Sequence, residues 1–389
     1  MAPGVTYGGL KGGSESSKSV QWNQGAKRKN GAKKCEFGLD ADVLDGKEPA
    51  RDRNLEGELK SLAKCSIAAL ILAAVVPAPA AQLTTDARGA IPRDVQQLVV
   101  IDYKAMQNST AAMNLRNRVE PPELKQFDEA LSKFTLKPVL PSGKPSPTPG
   151  EPIDQYVDEL AFALFRPTPT SEALQSVGIA QGQFPTEDIL ASFKAQKMKP
   201  TMVRTNAIYP MTKTGMVLCF VDPSTMIFGG KDSVTKALDA RDGMAQSMLN
   251  NNPMMDAMQS VDSNSLWSIL DDKGTQTMMK QLLGEAGSVT DFESVKQRLE
   301  GSWYGMDFTH GVKFQLTIAT GDSIAAATMS SLLSAAVMLR KMSGSDTEKQ
   351  ALNETSIDSN SGKLEVQFAA SDTEFSALLQ SPLFSTMVK

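Results

Sequence analysis

The chain has 389 residues, 41% hydrophobic and 22% charged, with a formal net charge of −4, a globular composition long enough for two ordinary domains. After residue 80 it carries 28 Lys/Arg against 35 Asp/Glu, and so acidic a body argues against non-specific binding to nucleic acid or anionic lipid, which rests on basic surface. The single histidine, His310, excludes His-rich metal sites and mechanisms that use two histidines; Cys219 is the only cysteine beyond the leader, so the body forms no internal disulfide.

Residues 1–59 are rich in Gly, Lys and Ser without hydrophobic periodicity and read as a disordered leader. The cluster Lys27-Arg28-Lys29 with Lys33-Lys34 would suit a nucleic-acid tail, but such a tail makes little sense on an exported chain. The expectation is that residues 1–59 are not translated and that the gene starts near Leu55 or Leu59. Residues 60–80 read as a signal peptide: Lys60 and Lys64, the 11-residue apolar run Ser66–Val76, then Ala78-Pro79-Ala80 as a small-x-small cleavage site. The run falls short of the ~20 apolar residues that span a membrane. Cys65 precedes the run instead of closing it, so Leu62-Ala63-Lys64-Cys65 is no lipid-attachment box. The expected location is periplasmic or secreted; the alternative is membrane anchoring by residues 66–76 if the segment is not cut.

The body reads as a diverged internal repeat. Ile101-Asp102-Tyr103-Lys104 matches Leu270-Asp271-Asp272-Lys273 at an offset of 169. Ile179-Ala180-Gln181-Gly182 matches Ile318-Ala319-Thr320-Gly321 at an offset of 139. Phe228-Gly229-Gly230-Lys231-Asp232-Ser233 matches Phe368-Ala369-Ala370-Ser371-Asp372-Thr373 at an offset of 140, each a strand end, a turn and a helix N-capped by Asp, with Glu374 completing a capping box in the second. The 30-residue excess of the first offset is assigned to a Pro-rich insertion at 138–152. Alternation in Val312–Ile318 and Leu364–Phe368 predicts antiparallel strands with one face buried. The expected fold is α+β: two tandem ferredoxin-like units, at 88–245 and 254–389, each an antiparallel sheet with helices on one face. The break falls at 244–253, around Asn250-Asn251-Asn252-Pro253. The apolar stretch Ile324–Leu339 is only 16 residues long and reads as a helix buried between the domains.

Ile91-Pro92-Arg93-Asp94-Val95 followed by the strand Leu98–Asp102, and Val221–Gly229 followed by Asp232, resemble phrases of uncharacterised exported bacterial proteins with tandem α+β domains. The resemblance covers most of residues 90–389. It implies an exported tandem-domain protein of unknown function and transfers no site residues.

The candidate chemistry is thin. His310, in Asp307-Phe308-Thr309-His310-Gly311, could act as a general base oriented by Asp307, but a hairpin turn accounts for it. Gly229-Gly230-Lys231 lacks the remainder of a phosphate loop: Thr225 stands where Gly is needed, and Asp232 follows the Lys. Seven methionines lie between Met244 and Met279, and Met254, Met255 and Met258 are the candidate soft-metal ligands for copper, against a plain packing role. Cys219 sits in an apolar strand and reads as a structural thiol. Lys194, Lys197, Lys199 and Arg204 form a basic patch that solvation explains. The expectation is a cell-envelope binding or scaffolding protein without enzymatic activity or cofactor, whose partner is an envelope protein or peptide and not nucleic acid. The alternatives are a copper binder or a hydrolase using His310.

Overall fold

The computed structural model describes residues 81–119, 125–126, 129, 135–136, 151–167, 174–211, 215–283 and 292–381. The leader, the signal segment and residues 138–150 lie outside them. The first half runs α1 (Thr85–Gly89), β1 (Val95–Asp102), α2 (Tyr103–Gln107), α3 (Thr110–Val119), β2 (Thr135–Leu136), β3 (Glu151–Pro152), β4 (Val157–Phe165), β5 (Gln175–Gly182), α4 (Thr186–Ala195), β6 (Thr201–Val203), β7 (Asn206–Pro210), β8 (Met216–Asp222), β9 (Thr225–Gly230) and α5 (Lys231–Arg241). The second runs α6 (Asn252–Gln259), β10 (Leu266–Leu270), α7 (Asp272–Leu283), α8 (Phe292–Lys296), β11 (Leu299–Asp307), β12 (Val312–Thr320), α9 (Ser323–Ser343), α10 (Asp346–Asn353), β13 (Thr355–Asn360), β14 (Lys363–Ala370) and α11 (Asp372–Leu379).

Alternating apolar residues in these strands build one 12-stranded sheet, in the order β13-β14-β12-β11-β10-β1-β4-β5-β9-β8-β7-β6. The five strands β1-β4-β5-β9-β8 repeat the order of β10-β11-β12-β14-β13, and β1 pairs β10 to join the halves. The three sequence matches fall at corresponding places: the ends of β1 and β10, of β5 and β12, and of β9 and β14.

The ferredoxin-like order is not what the strands adopt. That topology needs a helix crossing over between parallel strands. In it those two strands are parallel and a third lies between them; here α2–α3 and α7–α8 join β1 to β4 and β10 to β11, which are direct neighbours and pair antiparallel. Periodicity reports which residues face a core; it does not report which neighbour a strand takes.

Helix cover differs between the two faces. On one face packing extends from β8 to β14. Phe162, Leu218, Met226 and Phe228 meet Ile189 and Phe193 of α4. Leu266, Met306 and Val312 meet Met106, Leu115, Phe375 and Leu379 of α2, α3 and α11. Leu316, Ile318 and Leu364 meet Met279 of α7 and Met329 and Leu333 of α9. On the opposite face, Leu98, Val100, Ala161, Ala163, Ile179, Cys219, Ile227, Trp267 and Ile269 pack beneath Ala87 of α1, Val234 and Leu238 of α5, and Met254 and Met258 of α6. This second layer ends at β10 and β11. Helices therefore lie on both faces from β8 to β10 and on one face of β12, β14 and β13.

The cause is the course of the last helix in each half. Asp232 and Asp372 lie in the first turns of α5 and α11; the N-caps are Gly230, which has no side chain to offer, and Ser371, whose hydroxyl accepts from Glu374 N while Glu374 reaches back to the Ser371 amide. From similar starts, α5 folds onto the second face and α11 onto the first. Leu316, Ile318 and Leu364 thus keep their cover, whereas Lys313, Gln315, Lys363, Gln367, Ser356 and Asp358 on the other face of β12, β14 and β13 stay exposed. An antiparallel sheet tolerates one solvated face when its outward residues are polar, as these are.

The apolar helix expected between domains is α9, and it lies on the packed face. Ala325, Ala326, Met329 and Leu333 form its buried stripe. Ile324, Met338, Leu339 and Met342 are exposed. By length and composition it is one helix, among the described residues, apolar enough to cross a membrane.

Candidate functional site

A cleft of about 580 Å³ opens where the second-face cover stops. Its floor is Gly301, Trp303 and Ala319, on β11 and β12. One wall is α6, through Pro253, Asp256, Ala257 and Ser260. The helix takes that position because Met254 and Met258 are driven into the core beside Trp267, leaving its polar side outward. Asn251 fixes its start: the side-chain oxygen accepts from Met254 N, 3.4 Å, and Nδ2 donates to the Arg93 carbonyl, 3.0 Å.

Acid dominates the lining. Asp94, Asp256, Asp271, Asp272 and Glu300 stand against Arg93 and Lys363. Asp94 is paired with Lys236 at 2.7 Å and Arg93 bonds Gln246. Asp271 closes β10 and holds the first turn of α7 through Gly274 N, 2.7 Å. Burial pushes its carboxyl up to about 6, with Asp272 adding to the rise against the Gly274 bond, Lys273 and Arg166. Lys363 Nζ lies 5.5 Å from the centre of the Trp303 ring, a cation–π contact. The indole thus forms part of an open surface that already receives a cation.

The candidates read from sequence do not meet at this cleft, Met254 excepted. His310 is exposed in the turn between β11 and β12. Asp307 is engaged by Thr309, at 2.9 Å to the amide and 2.6 Å to the hydroxyl. Burial opposes its ionisation, but those bonds with Lys313 and His310 outweigh it and hold the carboxyl below its ordinary value. Gly229 and Gly230 carry the chain from β9 into α5, and Gly229 has φ of +145°, so the glycines answer to backbone shape. Cys219 is fully buried and its thiol is raised to about 11 by burial, with Arg241 lowering and Asp242 raising it.

The methionines disperse. Met248, Met254 and Met258 fill one core, with Met255 packed against it, while Met279 fills another and Met244 is exposed. A thioether enclosed by hydrocarbon serves packing. Among the described residues, no three His, Cys, Asp or Glu side chains gather as a metal site would require. Of the basic patch, Arg204 is held by Asp239 and Asp242. Trp303 was not singled out by sequence reading; the signal available was a tryptophan flanked two residues away on either side by Gly301 and Gly305, on a strand that alternates.

The fold and site define an α+β chain built on one large antiparallel sheet, with a cleft beside its bare half-face. No protein-family model and no curated protein sequence matches the chain. Among solved structures, crystal form I of TP0453 aligns with a TM-score of 0.43 at 9% identity, covering 77% of this chain and 96% of that one. Crystal form III of TP0453 aligns with a TM-score of 0.44 at 9% identity, covering 77% and 99%.

Proposed function

We propose that the chain is an exported cell-envelope binding protein, without enzymatic activity, that takes a basic peptide segment of a partner in the acidic cleft over Trp303. The observation that carries this reading is the asymmetry of helix cover. Two halves with one strand order, read here as two copies of one unit, differ in where the final helix goes, and the second is left with an open polar face ending in a cleft. The volume lies in the ~300–1,000 Å³ range of ligand sites. A carboxylate-lined trough with an aromatic floor suits Lys and Arg side chains, through charge and through the ring face. Export supplies the setting, on the strength of residues 60–80.

The test is a binding isotherm with extended ten-residue peptides, one rich in Lys and Arg and one with Glu at the same positions. The basic peptide binds and the acidic one does not. Trp303→Ala weakens it by about 1 kcal/mol or more, the size of one aromatic–cation contact, and binding tightens from pH 5 to pH 7 as Asp271 ionises. Equal binding of both peptides, or indifference to Trp303→Ala, removes the reading.

A further inference from the structure

Ala81 is completely buried, and its carbonyl accepts the Trp267 indole N–H at 2.8 Å. The next residues cross the end of the sheet on side-chain partners: Gln82 N donates to Glu159 Oε1 at 3.1 Å and Thr84 N to Gln181 Oε1 at 3.1 Å. Glu159 pairs with Asp102 on β1 and with Gln181 on β5 in register, so both carboxylates face this segment's end of the sheet. The other oxygen of Glu159, Oε2, is enclosed and has no hydrogen-bond partner among the described residues. Asp102 is buried and caps Ala105 N at 2.7 Å; Asp158 pairs with Lys104 at 3.3 Å. Burial, Asp102 and Asp158 together push the Glu159 carboxyl up to about 7 against the Gln82 bond. An enclosed carboxylate oxygen without a donor costs free energy, and a cation beside it removes that cost.

We propose that hydrolysis of the Ala80–Ala81 peptide bond creates the missing cation: the α-ammonium of Ala81 pairs with Glu159 and locks the mature N-terminus into the sheet. Water adds across the amide under a signal-type endopeptidase; the carboxylate leaves on Ala80 and the freed amine takes a proton. Two independent lines converge on the same residue. The Ala78-Pro79-Ala80 pattern puts the cut immediately before Ala81, and the fold buries Ala81 and Leu83 while holding the Gln82 and Thr84 amides. Ala81 is one residue, at most about 3.6 Å of extended chain, from the Gln82 amide that Glu159 already accepts, and a freed α-amine at that place turns about its own bonds toward the carboxylate. The proposal rests on the export reading above. It goes further in assigning the cut a structural purpose: processing completes the fold.

A chain starting at Ala81 keeps every member of the four hydrophobic clusters found among the described residues. The test compares two proteins released from a fusion by a sequence-specific protease, one starting at Ala81 and one at Pro79, which moves the ammonium two residues away. At pH 7 the Ala81 form melts about 1–2 °C higher, as expected for one ion pair of about 1 kcal/mol in a chain of this size. The gap closes in Glu159→Gln, and it closes above about pH 10, where the amine has lost its proton. Equal melting of the two proteins, or a gap that survives Glu159→Gln, overturns the proposal. If Glu159→Gln does not fold, the α-amine titration by NMR decides: a pKa above the ordinary ~7.7–8.0 supports the ion pair and one at or below it refutes it. The mass of the chain in the envelope fraction of an exporting bacterium separates the two readings. A chain exported but cut elsewhere overturns this proposal alone; a full-length cytoplasmic chain overturns export as well.

Discussion

Thr275 Oγ1 and Ser302 Oγ lie 2.8 Å apart, both fully buried, where α7 meets β11 behind the cleft floor. Each hydroxyl is the other's partner, so removing one leaves a buried polar group unpaired. Thr275→Val therefore costs about 1–3 kcal/mol, more than the net worth of the bond itself. Replacing both, as Thr275→Val with Ser302→Ala, costs less than the sum of the single changes, because no orphan remains. Urea midpoints of the three variants measure this, and additive losses would contradict it. The pair also matters for the site, since Ser302 stands between Gly301 and Trp303 on the strand that forms the cleft floor.

At the scale of elements, α11 depends on its cap more than α5 does. Ser371 and Glu374 form a reciprocal capping box at Glu374 N–Ser371 Oγ 3.3 Å and Ser371 N–Glu374 Oε2 2.9 Å, whereas Gly230 caps α5 with no side chain. Ser371→Ala should destabilise the protein by about 1 kcal/mol, seen as a lower melting temperature with unchanged peptide binding, because α11 packs on the face away from the cleft. A loss of binding in that variant would show that α11 and the open face are coupled. The box was legible in the sequence because its chemistry is local: a serine, a glutamate three places on, an apolar run. The three matched phrases were legible for the same reason, as each is a strand end and a turn. Strand order was not. Whether β4 pairs with β1 or lies one strand away from it is decided by packing between segments far apart in sequence, and a period-2 pattern looks the same either way. The cleft was hidden too. Trp303 becomes a floor only because α11 goes to the opposite face, and nothing in Ser371–Leu379 states which face that will be. Met254 and Met258, read as candidate copper ligands against a packing role, share a buried helix face that Trp267 and Ile269 make a core.

For the molecule as a whole, the two halves cannot be independent of one another. The five residue pairs between β1 and β10 make the sheet continuous. One core encloses Leu98, Val100 and Ile179 of the first half with Met254, Trp267 and Ile269 of the second. Another joins Met106 and Leu115 to Met306, Phe375 and Leu379. Cutting the chain at the sequence break near residue 250 would strip partners from both cores and bare the hydrogen-bonding edge of β1, a template for aggregation. Unfolding in urea should then follow a single transition, with far-ultraviolet dichroism of the sheet and tryptophan fluorescence from Trp267 and Trp303 coinciding. A chain of residues 81–251 expressed alone should aggregate or lack a cooperative transition. If it instead folded as a soluble monomer with its own sharp melt, the shared cores would contribute little and the bare half-face would belong to a separable module. Coincident transitions give the cleft a firm footing, because its wall (α6) and its floor (β11 and β12) are then held by one cooperative core, and a ligand that bridges wall and floor raises the melting temperature of the entire chain.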